Sequence, residues 1–201
     1  MRPVDIVILL DRSGSMSTIK YDAIGGYNQF IQEQRGVDGD AMVTLVQFCS
    51  ITPHEIRLDR VDLKDVPELT NLSFRPSGST PLYDAIAWTI RRMGRVYSDL
   101  PEDEKPSSVV FVILTDGKEN SSMEHTRESV FRMVEQQQNE WGWKFVYLGA
   151  NQDAISEATS MGIALDPNLA NAATYAATGA GIRGAYGTAS VYTASVRTGE
   201  A

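Results

Sequence analysis

The chain carries three near-continuous runs of β-branched and aliphatic residues, VDIVILL (4–10), SVVFVILTDG (108–117) and KFVYLGA (144–150). Runs without polar alternation are the pattern of strands covered on both faces in a mostly parallel sheet. MVTLVQF (42–48) and HEIRL (54–58) are separated only by CSITP. That link is too short for a crossover, so it predicts an antiparallel hairpin, with the alternating HEIRL at the sheet edge. Helical spacing fills the intervals between strands. Ile24, Tyr27, Phe30, Ile31 and Gln34 recur every three or four residues within 22–35, ahead of a stop at Gly36. Pro81 stands at a helix start, where its missing donor is harmless, and Leu82, Ile86, Thr89, Ile90, Met93 and Tyr97 mark that helix's buried face. A helix over 124–141 is expected to turn Val130, Phe131, Val134 and Trp141 inward, and a short helix follows, ending near Met161. The predicted fold class is therefore α/β: an open, mostly parallel, Rossmann-like sheet with helices on both faces and one antiparallel edge strand.

Beyond Asn168 the chain changes character, to Ala, Gly and Thr interspersed with Tyr175, Tyr186 and Tyr192. The reading is a domain over 1–167 and an Ala/Gly/Tyr-rich C-terminal extension over 168–201. The extension could be a helix packed on the domain, a mobile tail or a partner-binding segment.

Composition narrows the function. With 26 acidic against 18 basic side chains the net charge is -8, which argues against a nucleic-acid binder and favours a surface that meets cations. The single cysteine, Cys49, cannot form an intrachain disulfide and reads as a packed core thiol. The apolar run at residues 6–10 is too short for a secretory core, and no run is long enough to span a bilayer. The expectation is a cytoplasmic protein, or a virion-associated one if phage-encoded, with no membrane partner and an oligomeric state left open.

The candidate chemistry sits where the strands end. Ligand sites in open α/β sheets gather outside the carboxyl ends of strands at the point where strand order reverses. The first run ends in DRSGS (11–15), the fourth strand ends in Asp116, and the loop RPSGSTP (75–81) presents Thr80 at the same edge. Asp11, Ser13, Ser15, Thr80 and Asp116 thus converge as five hard oxygen donors without His or Cys. Such donors suit magnesium, with manganese or calcium possible, rather than zinc or copper. The alternation in DRSGS aims its three polar side chains to one side, and Gly14 permits the close turn.

These segments resemble the von Willebrand factor A (VWA) family and its metal-ion-dependent adhesion site. DRSGS (11–15), the threonine of GSTPLYDAI (78–86) and the aspartate of LTDG (114–117) follow that family's elements in order and spacing over residues 3–165, most like its intracellular bacterial and phage-encoded members. The resemblance implies direct metal contact from Ser13, Ser15 and often Thr80, contact through water from Asp11 and Asp116, and a sixth position open to an Asp or Glu of a protein partner. Arg12 and Met16 flank this loop, within reach of such a partner.

An enzymatic reading finds less support. A magnesium-dependent phosphatase with an aspartyl nucleophile needs a second Asp where Ser13 stands. No P-loop signature occurs, and His54 and His125 fall away from the strand tips, leaving the serines without a general base. The function expected is a divalent-cation-dependent protein-binding module. The alternative is a structural component of a phage particle or other assembly, with a vestigial metal site and contacts made by the extension.

Overall fold

A computed structural model of the chain describes residues 2–150 and 153–200. Its centre is β1 (Val4–Asp11), buried along its whole length. The chain then runs through a 3-10 segment (Gly14–Ile19) and α1 (Lys20–Arg35) to β2 (Ala41–Phe48), which lies parallel to β1. β3 (Glu55–Asp62) turns back antiparallel to β2, as the short link requires. After a long loop come α2 (Leu82–Asp99), β4 (Ser108–Thr115), α3 (Arg127–Trp141), β5 (Lys144–Ala150) and α4 (Ala154–Ser160). Two further elements, β6 (Ala172–Tyr175) and α5 (Gly179–Thr198), complete the described chain.

The sheet order is β3-β2-β1-β4-β5-β6, with β3 the antiparallel edge strand. Alternate residues of each central strand feed different cores. Ile6, Ile8 and Leu10 of β1 face α1 and α5, whereas Val7 and Leu9 face α2, α3 and α4. The edge is pinned from within: Arg60 of β3, in the left-handed region at φ 49, forks onto Asp5 of β1 at 2.7 and 3.3 Å.

The stretch after Asn168, described up to Glu200, takes the packed-helix form among the three left open. β6 pairs parallel with β5, and α5 lies against α1, burying Ile182, Tyr186, Tyr192 and Val196 in the core shared with β1. Gly26 of α1 makes this approach possible, because a Cβ there would stand 2.2 Å from the Tyr186 ring. Two inward assignments in α3 are corrected. Val130 and Val134 are buried, but Phe131 and Trp141 face outward, since the inner face of this helix is narrow and its last residue overhangs the start of β5. Cys49 is buried and free, as expected of a core thiol.

Candidate metal centre

β1 and β4 are the strands flanking the reversal of strand order, and their carboxyl ends bring the candidate residues together. Asp11 is fully buried and acts as an organiser: one carboxylate oxygen accepts from the Ser13 N–H at 2.7 Å and the other from the Thr115 hydroxyl at 2.6 Å. Ser13 Oγ and Ser15 Oγ lie 3.0 Å apart, and the Ser15 hydroxyl donates to Asp116 at 2.7 Å. Thr80 closes the group from the other side. A Cβ built on Gly117 would stand 3.5 Å from Thr80 Oγ1 and 3.8 Å from Ser15 Oγ, so both hydroxyls border the same point of the loop after Asp116.

Backbone contacts lock the three segments into one rim. Ser77 N–H donates to Arg12 O at 2.8 Å and Gly14 N–H to Gly78 O at 2.9 Å. Gly14 is held so close that a Cβ would meet that same oxygen at 3.3 Å, while Gly78 takes a φ of +71° that favours glycine. All five sequence-predicted residues therefore share one small region.

Its electrostatics are unfavourable to anions as they stand. Burial pushes the Asp11 carboxyl up to about 6, with the Asp116 charge adding to the shift and the bonds from Thr115 and Ser13 opposing it. Burial likewise raises Asp116, against the bond from Ser15. Neither carboxylate makes an ion pair among the described residues. No cluster of three or more His, Cys, Asp or Glu side chains fit to hold a metal occurs among the described residues. The donor set is instead two carboxylates and three hydroxyls, which fits a hard, oxygen-seeking cation and no soft one.

Several supporting residues escaped the sequence reading. Thr115 orients Asp11, and the Tyr175 hydroxyl of β6 caps the Thr115 carbonyl at 3.1 Å. Asn120 brackets Thr80, accepting from its N–H at 2.9 Å and donating its own N–H to Thr80 O at 3.2 Å. Glu119 and Asp84 then hold the loop after Asp116 through the N–H groups of Ser121, Ser122, Met123, Glu124 and His125. Thr115, Glu119 and Asn120 carried one signal, their closeness to Asp116 in the chain.

Arg12 and Met16 are both engaged within the domain. Met16 is buried in the core, and the Arg12 guanidinium turns toward Arg75 O at 3.2 Å, Cys49 Sγ at 3.6 Å and Glu55 at 3.4 Å. The histidines have local roles: His54 stacks on Trp88 with ring centroids 4.4 Å apart, and His125 meets Asp84.

An α/β domain with this sheet order and this strand-tip cluster is the architecture of a VWA module. The family profile described as von Willebrand factor type A domain matches residues 5–182, and the chain belongs to that family. Solved structures agree in fold. The vWF domain of the type V pili tip protein Mfa5 from Porphyromonas gingivalis is 12% identical with a TM-score of 0.65, over 98% of this chain and 96% of that one. Proximal thread matrix protein 1 from the mussel byssus, with a zinc-occupied MIDAS motif, is 15% identical with a TM-score of 0.60, over 92% of this chain and 46% of that one. The manganese-loaded TRAP protein of Plasmodium vivax is 18% identical with a TM-score of 0.58, over 87% and 69%. The chain thus spans under half the length of the mussel protein it resembles. No curated protein matches it in sequence.

Proposed function

We propose that the chain is a divalent-cation-dependent protein-binding module rather than a catalyst. Ser13, Ser15 and Thr80 would hold the cation directly, with Asp11 and Asp116 acting through water. Magnesium is the ion proposed, and manganese or calcium suits the same donors. When bound, the ion supplies a positive centre for an Asp or Glu of the partner. The observation that carries this reading is the convergence of five oxygen donors from three segments around the buried Asp11 and the partly buried Asp116, neither of which has a basic partner among the described residues. The zinc-occupied MIDAS motif of the mussel protein and the manganese-loaded TRAP structure lend it support by analogy of fold.

The chain's own residues divide the work. Asp11 fixes the loop by accepting from Ser13 and Thr115, Asp116 orients the Ser15 hydroxyl, and Asn120 holds the backbone on both sides of Thr80. Titration calorimetry and thermal melts in millimolar magnesium, manganese and calcium test the first half of the proposal. At a concentration of about 100 Kd a ligand of the folded state adds about 2.7 kcal/mol, a rise of roughly 5–10 °C for a domain of this size. Asp11→Ala or Asp116→Ala is expected to abolish that rise. Partner capture in magnesium and again in EDTA, followed by substitution of acidic residues on the captured protein, tests the second half. A partner that stays bound in EDTA sinks the metal bridge.

A further inference from the structure

Another concavity, of about 640 Å³, lies at the far end of the sheet from the carboxylates. It opens where Ser107, Ser108 and Val109 lead into β4, between α2 and α3. The candidate metal centre follows the other end of the same strand, so an extended run of roughly 20 Å separates the two.

One wall is aromatic. Trp143 is 5% exposed and meets the Tyr97 ring edge-on at 5.8 Å, whereas Trp141, two residues earlier, is 68% exposed at the mouth. Facing them, α2 contributes Gly94, whose Cβ position has nothing within 4 Å. Glycine inside a helix is less favourable than alanine, and no close packing here offsets it; what it does is leave the cavity open. Polar groups without a partner line the space. Neither the Arg91 guanidinium nor the Gln137 side-chain amide makes a hydrogen bond or ion pair among the described residues. Arg95 adjoins them, its side chain donating to Arg91 O at 3.4 Å.

Aromatic walls of this size with one unpaired guanidinium form the usual makeup of a small-molecule site, and such sites run to about 300–1,000 Å³. A guanidinium prefers a carboxylate in a forked, charge-assisted pair. We infer that this cavity binds a small flat aromatic carboxylate, its ring against Trp141 and Trp143 and its anion at Arg91. The site lies at the other end of β4 from the metal centre and shares no residue with it.

The test is titration calorimetry of the full chain in EDTA with 2-naphthoate, and with 2-naphthalenemethanol as the uncharged counterpart. Saturable binding of naphthoate is expected, with Arg91→Gln weakening it at least about tenfold while leaving the alcohol unchanged. Gly94→Leu fills the mouth and is expected to abolish binding of both probes without lowering the melting temperature. Should Gly94→Leu fail to fold, Trp141→Ala, at an exposed position, takes its place and is expected to weaken both probes. Absence of saturable heat up to about 1 mM naphthoate overturns the inference. So does an affinity that neither Arg91→Gln nor a folded mouth variant changes.

Discussion

At Asp11 two influences oppose each other: burial raises the carboxyl to about 6, and bonds from Thr115 and Ser13 pull it down. In metal-free protein the folded-state value lies above the ordinary aspartate value of 3.8, so the stability this group contributes is fully present below 3.8. It is lost as pH rises through about 6. A cation and a proton then compete for the same carboxylate. The thermal shift caused by magnesium is expected to be small near about pH 5 and full by about pH 7.5, because metal binding requires the ionised ligand. Melts with and without magnesium across that range decide the matter, and a shift equal at both ends would mean the ion does not engage Asp11. Asp11 itself was legible in the sequence, as the carboxylate closing the first apolar run. Thr115 and Asn120 were not, because a hydroxyl or amide that orients another side chain has no pattern apart from the neighbour it serves.

Among the elements, α1 and α5 show how much of the packing depends on single atoms. Adjacent glycines of α1 differ completely in surroundings: a Cβ on Gly26 would collide with Tyr186 at 2.2 Å, while one on Gly25 meets nothing within 4 Å. Gly26→Ala is expected to force the helices apart and destabilise the fold by about 1–3 kcal/mol. Gly25→Ala should instead stabilise it by about 0.4–1 kcal/mol through the unfolded chain. Urea denaturation of both variants measures the contrast, and equal effects would show that α5 does not seat on α1 as described. Periodicity located α1, α2 and α3 correctly, but it could not tell that Phe131 and Trp141 look outward. A helix's apolar stripe shows which residues share a face; how wide a face is covered depends on the neighbours it finds.

For the whole molecule the decisive region is the one least readable in the sequence. Residues 172–198 supply the outer strand β6 and the helix α5 that covers Tyr27 and Phe30. A chain ending at Pro167 would uncover that face, and each large apolar side chain returned to water forfeits roughly 1.5–3 kcal/mol. Residues 1–167 alone are expected to be aggregation-prone, without the single cooperative melt of the full chain. Calorimetry on the two lengths tests this, and an intact, fully cooperative 1–167 would make β6 and α5 dispensable.

The sequence by itself determined five of the six strands, the α/β class, the antiparallel edge and the five candidate oxygen donors, since these follow from local runs, short links and motifs whose spacing is kept along the chain. The tertiary structure alone decided the rest. It drew the glycine-rich end of the chain into the core, because small residues carry little periodic signal and become informative only against Tyr27 and Phe30. It turned Arg12 and Met16 away from the site, as the direction of a side chain in a loop is set by what surrounds it. It also opened a cavity between α2 and α3, a space defined by two helices far apart in sequence and belonging to neither.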